Sequence, residues 1–247
     1  MVYSDSITAS TVTSVDNVNT VYPPPSLTKE EIVASRYYIK KFLSGDITIE
    51  FTRDAGLLHQ YYRIRDQEFK AVLQSDDYAQ LEDEYDENGY IAVARIGNFC
   101  IGGMRLNVKT PRRSLLLPLE TNDFRLAHYF PELKYRELIY AQISGFAILQ
   151  EMRNGSVCHN LTKRLYSKAL SLNVHIGFFT APKANARLYK IDCVSLGIKN
   201  TKIHTDIVLP QYNDTDYLIS IPLHEIAGKS LVPPHQDDKD STPDMLY

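Results

Sequence analysis

The stretch "YIAVARIGNFCIGGMRLNV", residues 90–108, decides the fold class. Both halves are β-like runs of apolar residues, and Gly97-Asn98 between them is a hairpin turn signal. We therefore predict two consecutive antiparallel strands, "YIAVARIGN" and "FCIGGMRLNV". A long hairpin does not fit a chain in which every strand is followed by a helix, so this stretch predicts a mixed α+β sheet.

Upstream of the hairpin the chain carries one strand pattern and two helix patterns. "DITIEFT" (46–52) alternates apolar and polar residues and predicts the first strand, whereas "AGLLHQYYRIRDQEFKAVL" (55–73) has helical spacing. A capping-box pattern from Thr28 to Glu31 predicts a further helix that runs to about Leu43.

Downstream of the hairpin, four more segments have strand character and two are amphipathic. The predicted strands lie within residues 136–149, 174–181, 201–209 and 216–223. The predicted helices cover residues 160–173, with Asn160 or Thr162 as the cap, and residues 182–194.

The two ends of the chain differ in composition from the middle. Residues 1–26 are rich in Ser, Thr, Asn and Val and predict a flexible N-terminal arm. Residues 229–247 are polar, contain three prolines and predict a mobile C-terminal tail. We therefore predict one domain over residues 27–228.

The composition argues against several classes of function. A net charge of −3 does not suit a general nucleic-acid binder, which carries a basic excess. Cys100, Cys158 and Cys193 form neither a zinc spacing nor a disulfide framework, so we expect no bound metal and a reducing interior. No stretch approaches 18 apolar residues and no signal-peptide pattern is present, so we expect a cytoplasmic protein without a membrane span.

Common catalytic motifs are absent from the sequence. It contains no G-x-S-x-G, P-loop, H-E-x-x-H or G-x-G-x-x-G pattern. Ser144, in "AQISGF", has no evident His and Asp partners, so a nucleophilic triad is not indicated. The seven histidines are dispersed, and we interpret them as structural or exposed residues.

The charged residues are segregated along the chain. From Ala71 to Ala94, which we call the acidic segment, there are seven acidic residues and no Lys or Arg. From Glu151 to Lys202, nine basic residues stand against two acidic ones. Solvated helix faces explain such runs in many proteins; the alternative is a surface for an acidic partner, such as a phosphate-bearing cofactor or an acidic carrier protein.

Five short motifs occur in a recognisable order: "YRIRDQEF", "EDEYD", "GGMRLN", "YFPEL" and "AQISGFAI". Across roughly residues 45–200 they resemble the acyl-homoserine lactone (AHL) synthases and, more closely, the long-chain N-acyl amino acid synthases of the GNAT superfamily of acyltransferases. The resemblance implies a mostly antiparallel central sheet flanked by helices, with a V-shaped splay between two central strands. It also implies direct transfer of an acyl group from a thioester to an amine.

The resemblance further implies a network of charged residues beside the acyl-acceptor site. Arg65 and Phe69 match an arginine and a phenylalanine on the family's first helix. Asp83 and Asp86 match the D-x-x-D pair that follows, and Arg105 matches an arginine on the next strand. An Arg–carboxylate web can lock a mobile segment over a site. We therefore predict that the four charged residues meet in space and that the acidic segment is the acceptor-side lid and its anchor.

The sequence departs from the lactone synthases at their motif E-x-S-R-F, where it reads Gln142, Ile143, Ser144, Gly145 and Phe146. The glutamate and the arginine are both absent, which argues against S-adenosylmethionine as the acceptor and against lactone formation. The loop "SLLLPLE" looks closer to that of the N-acyl amino acid synthases. We keep Gln142 in the predicted acceptor network.

Acyl transfer needs a base for the amine proton and a hydrogen-bond donor for the developing oxyanion. For the base we predict Asp83 or Glu82 acting through water, with Glu137 as an alternative. For the oxyanion we predict the backbone N–H of Ile143 or Ser144, because the glycine that follows permits an irregular strand.

The donor is expected to contact the basic half of the chain. GNAT proteins that bind coenzyme A often carry Q/R-x-x-G-x-G/A at a helix start, and "QEMRNGSV" matches this pattern only in part. The donor therefore stays open between acyl-CoA and an acyl carrier protein, with its phosphate at "RNGSVCHN" and the start of a helix near Leu161. Tyr189 resembles the tyrosine that many GNAT proteins place near the leaving thiol. The predicted donor contacts are Arg153, Asn154, Gly155, Lys163, Arg164 and Tyr189.

Apolar residues of two predicted strands either fill the core or line a tunnel for a long acyl chain. This predicted acyl pocket consists of Phe146, Ile148, Ile176, Phe178 and Phe179.

The sequence as a whole predicts a bacterial N-acyltransferase without a permanently bound cofactor. It would move a long acyl group from an acyl carrier protein or acyl-CoA to the amine of an amino acid or a similar small molecule. The alternatives are a CoA-dependent N-acetyltransferase of a small amine, an AHL synthase and a non-catalytic GNAT-like binding module. The acceptor, the chain length, the type of carrier, the general base and the oligomeric state stay open.

Overall fold

The computed structural model of the chain describes residues 46–73, 82–112, 115–121, 123–153, 155–210 and 216–227. The strands are β1 (Thr48–Phe51), β2 (Tyr90–Ile96), β3 (Phe99–Lys109), β4 (Tyr140–Ile148), β5 (Ile176–Pro182), β6 (Lys202–His204) and β7 (Asp216–Pro222). The α-helices are α1 (Ala55–Leu73), α2 (Glu84–Glu87), α3 (Leu126–Tyr129), α4 (Glu132–Tyr135), α5 (Gly155–Ser171) and α6 (Lys183–Ser195). The predicted arm, the predicted tail and the helix predicted to begin near Thr28 lie outside the described residues.

The strands form one sheet in the order β1-β2-β3-β4-β5-β7-β6. Neighbouring strands pair antiparallel, except β4 and β5, which pair parallel. The hairpin predicted over residues 90–108 is confirmed, because Ile96 pairs with Phe99 across a turn in which Gly97 has a φ of 57°. The predicted class, a mixed and mostly antiparallel α+β sheet flanked by helices, is also confirmed.

Helices cover both faces of this sheet. On the face that we call the α1 face, α1 packs against β3 and β4, and Tyr61 lies against Gly103. On the opposite face, which we call the α5–α6 face, α5 packs against β1, β2 and β3. There α6 places Tyr189 against Phe179 of β5. None of the described helices is both long and apolar enough to cross a bilayer.

β4 and β5 part soon after they meet. Their ladder contains the pairs Tyr140–Ile176, Ala141–Gly177 and Gln142–Phe178. Beyond these pairs, β4 continues beside β3, and β5 continues beside β7. We call the stretch where residues 143–148 and 179–182 have no ladder to each other the β4–β5 opening. The V-shaped splay expected between these two strands stays a prediction.

A bulge in β4 lies at the β4–β5 opening. Gly103 pairs with Ala147 and Arg105 pairs with Ser144, so β4 uses one more residue than β3 over this step. Gly145 has a φ of 66°, in the left-handed region that favours glycine. The irregular strand predicted at this glycine is therefore confirmed.

The predicted start of the helix after β4 is wrong. α5 begins at Gly155 rather than near Leu161, so "RNGSVCHN" is mostly helical and neither predicted cap residue caps the helix. Val157, Leu161 and Leu165 are spaced by four residues and are each at most 1 % exposed. Burial of this stripe against the sheet outweighs the weak helix propensity of the first turn.

The strand predicted over residues 201–209 is shorter than expected. β6 covers only Lys202–His204, which pair with the middle of β7 at the edge of the sheet. Leu209 still packs into an apolar cluster with Phe178 and Leu218, so this one residue is buried without strand pairing, whereas Val208 beside it is 68 % exposed.

Candidate active site

Four charged side chains from three parts of the chain meet on the α1 face, as predicted. Arg65 lies on α1, Arg105 lies on β3, and Asp83 and Asp86 lie at the start of α2 and within it. Arg65 binds Asp86 through two hydrogen bonds, from Nη1 to Oδ1 at 2.8 Å and from Nη2 to Oδ2 at 2.6 Å. Arg105 donates from Nη1 to Asp86 Oδ1 at 2.6 Å and forms an ion pair with Asp83. We call these four residues the charged cluster.

Three of the four residues of the charged cluster are buried, and the charges of the cluster compensate each other. Arg65 and Arg105 are each 4 % exposed, and Asp86 is fully buried. Burial by itself raises the pKa of Asp86, but the hydrogen bond from Arg65 and the positive charges of both arginines outweigh it and hold the pKa below its ordinary value. Burial lowers the pKa of Arg105, but the negative charges of Asp86 and Asp83 more than reverse this and raise it. Asp86 and both arginines are therefore ionised at neutral pH.

The short helix α2 is fixed by its own cap and by the sheet. Asp83 Oδ1 accepts hydrogen bonds from the N–H groups of Tyr85 and Asp86, and Asp86 Oδ2 accepts one from the N–H of Asp83 at 3.0 Å. Asn107 on β3 donates from Nδ2 to the carbonyl oxygen of Tyr85 at 2.8 Å. Two carboxylates of the acidic segment thus anchor it, whereas its other described acids are exposed: Glu82, Glu84 and Glu87.

Tyr61 links α1 to the bulge in β4. Its hydroxyl donates to the carbonyl oxygen of Gly145 at 2.6 Å. Burial raises the pKa of Tyr61 to about 12, so this hydroxyl is a hydrogen-bond donor at neutral pH. A Cβ at residue 145 would lie 2.5 Å from the hydroxyl oxygen. This packing therefore accounts for glycine at the position where the lactone synthases carry arginine.

The charged cluster extends to the β4–β5 opening through Ser144, whose Oγ accepts a hydrogen bond from Arg105 Nε at 3.1 Å. Ile143 and Ser144, the predicted oxyanion donors, are the first residues of β4 beyond its ladder with β5. Gln142 instead ties a loop to β4, because its Oε1 accepts the N–H of Leu119 at 2.7 Å. Within the described residues, no hydrogen bond joins Gln142 to the charged cluster, so its side chain is not part of that network.

The three predicted bases differ in position. The Asp83 side chain belongs to the charged cluster and is 26 % exposed, so it reaches solvent. Glu82 precedes it and is exposed. Glu137 is exposed in the turn before β4, seven residues from Ser144, and the structure does not bring it to the charged cluster. Phe69, predicted for the acceptor network, lies one turn after Arg65 on α1 and is half-buried.

Three aromatic side chains meet at the β4–β5 opening on the α5–α6 face. The ring centroid of Tyr189 lies 6.5 Å from that of Phe146 on β4 and 5.1 Å from that of Phe179 on β5. Burial raises the pKa of Tyr189 to about 12, so its phenol is protonated at neutral pH. A protonated hydroxyl thus lies beside the opening, on the face opposite to the charged cluster.

The predicted acyl pocket is divided between the two faces of the sheet. Phe178 is fully buried in an apolar cluster on the face of the charged cluster, and Ile176 packs against the same cluster. Phe179, the next residue of β5, points to the other face and meets Tyr189 with Phe146. The five predicted residues therefore do not line one tunnel. The fifth, Ile148, is buried at the end of β4.

The predicted donor contacts are also dispersed. Arg153 forms an ion pair with Glu68 of α1 and donates from Nε to the Ile148 carbonyl oxygen at 3.1 Å. Arg164 is 6 % exposed, with its guanidinium carbon 5.5 Å from the centroid of Phe51, so it faces the sheet and not an incoming partner. Three further predicted contacts are Lys163, which is half-buried, Gly155, which begins α5, and Asn154, which lies outside the described residues.

Asn107 is a candidate site residue that the sequence analysis missed. It follows Arg105 by two residues on β3, so both side chains lie on the same face. Asn107 is 2 % exposed, and its Oδ1 has no hydrogen-bond partner among the described residues. Buried polar atoms without a partner are rare and mark places where water or a ligand completes the bonding. The available signal was the alternation of two polar residues on an otherwise buried strand.

At the β4–β5 opening, both faces of the sheet carry side chains that can form hydrogen bonds or transfer a proton. Ser144, Arg105 and Asn107 lie on one side, and Tyr189 lies on the other. In the described ranges, no group of three or more His, Cys, Asp or Glu side chains could hold a metal ion.

Comparison with known proteins gives a fold but no close relative. The chain matches no family model. No curated protein matches it either. Solved structures do match, and they show that the chain has the fold of the GNAT acyltransferases.

The similar structures include two synthases and an acyltransferase. The AHL synthase LasI is 17 % identical over 78 % of this chain and 100 % of its own, with a TM-score of 0.50. FeeM, an N-acyl amino acid synthase from uncultured soil microbes, is 11 % identical over 74 % of this chain and 93 % of its own, also with a TM-score of 0.50. An acyl-CoA N-acyltransferase from Pseudomonas aeruginosa is 14 % identical over 71 % and 97 %, with a TM-score of 0.47.

Proposed function

We propose that this protein is an N-acyltransferase. It transfers a long acyl group from a thioester, carried by coenzyme A or by an acyl carrier protein, to the amine of an amino acid or a similar small molecule. The observation that carries the proposal is the β4–β5 opening, with the charged cluster on one face of the sheet and Tyr189 on the other. The likeness in fold to FeeM, an N-acyl amino acid synthase, agrees with it.

In the proposed reaction the acceptor lies on the α1 face and the thioester enters the β4–β5 opening. The amine nitrogen attacks the thioester carbonyl carbon, so a C–N bond forms, the C–S bond breaks and the sulfur keeps the electron pair. A backbone N–H of Ile143 or Ser144 stabilises the intermediate oxyanion. The amine proton leaves to Asp83 through water, and Tyr189 supplies a proton to the leaving thiolate.

Asn107 supports a nitrogen acceptor in this arrangement. Its buried Oδ1 can accept a hydrogen bond but cannot donate one, and it lies on the strand that carries Arg105. An amine that donates an N–H to this oxygen would keep its nitrogen lone pair free for attack. We therefore assign Asn107 to the acceptor site.

Two features argue against an AHL synthase. Gln142 is used to hold Leu119, and a side chain at residue 145 would collide with the Tyr61 hydroxyl. A glutamate at position 142 would therefore replace the side chain that binds Leu119, and an arginine at position 145 would have to displace Tyr61. The acceptor side is arranged for a different molecule.

The test is mass spectrometry of lipids extracted from an expressing bacterial host, compared with a host that expresses the Arg105→Met variant. New N-acylated amino acids that depend on Arg105 would support the proposal. Acetylated small amines would instead indicate an N-acetyltransferase. No new product in either host would point to a GNAT-like binding module.

A further inference from the structure

A second group of charged side chains lies on the α1 face, around Glu120. This residue is 2 % exposed. Its Oε2 accepts hydrogen bonds from Lys109 Nζ at 2.7 Å and from the N–H of Leu117 at 3.1 Å, and its Oε1 accepts the N–H of Leu126 at 3.2 Å. Both oxygens of the Glu120 carboxylate are therefore occupied, by the lysine of β3 and by the loop that follows this strand.

Arg125 adds a positive charge beside Glu120. Burial raises the pKa of Tyr140, the charge of Glu120 raises it further, and the charge of Arg125 lowers it in part, so Arg125 lies near this phenol.

The Arg125 side chain is not fully satisfied. Arg125 directly precedes α3 and is half-buried, and its Nη1 is buried without a hydrogen-bond partner among the described residues. Lys109, Glu120 and Arg125 together carry one positive charge in excess. A buried charged group without a partner is costly, so an anion would complete this group of side chains.

The excess positive charge lies next to the proposed acceptor site. Arg105, Asn107 and Lys109 alternate along β3 and therefore share the α1 face. Tyr140 pairs with Lys109 in the ladder between β3 and β4. Residues two apart on an antiparallel strand are separated by about 6.8 Å. Asn107, the proposed contact of the acceptor amine, is thus one such step from Lys109.

We propose that Arg125 and Lys109 form a subsite that binds the carboxylate of the acceptor while Asn107 binds its amine. This inference rests on the proposed acyl transfer, and it makes the two basic residues the determinants of acceptor specificity. We call them the Arg125 subsite.

The spacing of the groups suits an α-amino acid. Its amine and its carboxylate are attached to the same carbon atom, and a hydrogen bond of about 2.9 Å at each end lets the molecule span a step of about 6.8 Å. The guanidinium group of Arg125 can bind a carboxylate through two parallel hydrogen bonds, whereas Lys109 adds a point charge. A simple amine would leave the excess positive charge of the subsite without a partner.

The kinetic test compares each common α-amino acid with its carboxamide, which has the same shape but no negative charge. The donor is a tetradecanoyl thioester, supplied on coenzyme A and on an acyl carrier protein. With at least one amino acid, the parent should have a kcat/KM at least tenfold above that for the carboxamide. Arg125→Met should raise KM for this amino acid at least tenfold with little change in kcat, and should leave kcat/KM for the carboxamide within twofold of the parent.

Two further variants complete the kinetic test. Arg125→Lys keeps the charge but loses the two-point hydrogen bonding, so its KM should lie between those of the parent and Arg125→Met; it also carries the test if the methionine variant does not fold. Arg136→Met is the matched control, because Arg136 is exposed at the end of α4, and it should behave as the parent. An equal loss for the amino acid and the carboxamide in Arg125→Met would overturn the Arg125 subsite.

Binding without turnover separates this inference from the proposed function. A ligand that binds the folded chain raises its melting temperature. At least one α-amino acid should raise the melting temperature of the parent, whereas its carboxamide should not, and the rise should be absent in Arg125→Met. If the parent transfers no acyl group but shows this pattern, the proposed function fails and the Arg125 subsite stands. If the parent acylates amines and carboxamides as readily as amino acids, the proposed transfer stands and the subsite is overturned.

Discussion

The substitution Asp86→Asn tests whether the charged cluster holds α2 against the sheet. Asp86 is fully buried and accepts hydrogen bonds from Arg65, from Arg105 and from the N–H of Asp83. Asparagine keeps the volume but removes the charge, and its amide hydrogens would face guanidinium donors. Two buried guanidinium groups would then share the partly exposed Asp83 as their only carboxylate within the cluster.

The expected cost is large relative to the stability of one domain. Removing one partner of a buried ion pair costs about 3–5 kcal/mol, because it leaves an uncompensated buried charge. A domain of this kind has roughly 5–15 kcal/mol of unfolding free energy in total. We therefore expect urea unfolding of the full chain at pH 7, followed by circular dichroism, to show a loss of about 3–5 kcal/mol.

Asp83→Asn is the matched control for this measurement. Asparagine caps a helix about as well as aspartate, and the Asp83 side chain is 26 % exposed, so we expect a loss of about 1 kcal/mol. If Asp86→Asn cost no more than Asp83→Asn, the charged cluster would not be the anchor of α2.

The pH dependence of the unfolding free energies of the parent and Asp86→Asn gives a second test of the charged cluster. The pKa of folded Asp86 lies below its ordinary value of 3.8. Its ionised form therefore stabilises the fold fully above that ordinary value, and this contribution is lost as the pH falls through the lower folded value. The difference in unfolding free energy between the parent and Asp86→Asn should be constant from pH 7 to pH 5 and shrink below about pH 4. A difference that grew in acid would refute the assignment.

Further predictions concern the bulge, the acceptor and the donor. Tyr61→Phe should cost about 1–2 kcal/mol of unfolding free energy, because it leaves the Gly145 carbonyl oxygen without this donor. Gly145→Ala should cost at least about 1–2 kcal/mol of unfolding free energy for its left-handed backbone, and more for the collision with the Tyr61 hydroxyl. Because Tyr61→Phe removes that hydroxyl, the double variant Tyr61→Phe/Gly145→Ala should cost less than the sum of the two single variants. Additive costs would contradict the contact. Asn107→Leu should raise KM for the acceptor amine about tenfold or more with little change in kcat, and an unchanged KM would show that Oδ1 binds only water. Tyr189→Phe should lower kcat about 100-fold. This loss should be smaller with a donor whose leaving thiol is more acidic, because such a thiolate needs less protonation. An equal loss with the ordinary and the more acidic thiol would exclude Tyr189 as the general acid. Turnover of acyl thioesters from two to sixteen carbons should rise with length about fourfold per carbon until the site is full, since each buried methylene adds about 0.8 kcal/mol; a preference for the two-carbon donor would indicate an N-acetyltransferase.

The parts of the fold that local chemistry determines could be predicted from the sequence. The hairpin needs only two apolar runs and a turn dipeptide, and both are visible in residues 90–108. The meeting of Arg65, Asp86 and Arg105 joins residues up to forty positions apart. It was predictable only through the family's order of motifs, because no periodicity indicates which distant arginine meets which carboxylate.

The placement of single side chains at the site was less predictable. Counting lysines and arginines between Glu151 and Lys202 cannot show that Arg164 turns towards Phe51 while Arg187 turns to solvent. The start of α5 was missed because its first turn has weak helix propensity and is held by burial of Val157. The separation of Phe178 from Phe179, by contrast, follows from strand alternation and could have been predicted.

Under the proposed function, we interpret the departures from the lactone synthase motif as a changed acceptor. A buried ion cluster contributes little net stability, and apolar residues of the same volume often replace such clusters without cost. Stability alone therefore gives no reason for Arg65, Asp86 and Arg105 to occupy buried positions beside the β4–β5 opening. Where charged residues of the motif are absent, the replacements have their own contacts, since Gln142 holds Leu119 and Gly145 makes room for the Tyr61 hydroxyl. We therefore keep acceptor binding as the proposed role of this site. The Asn107 Oδ1, which has no hydrogen-bond partner among the described residues, is an oxygen to which an amine N–H could donate.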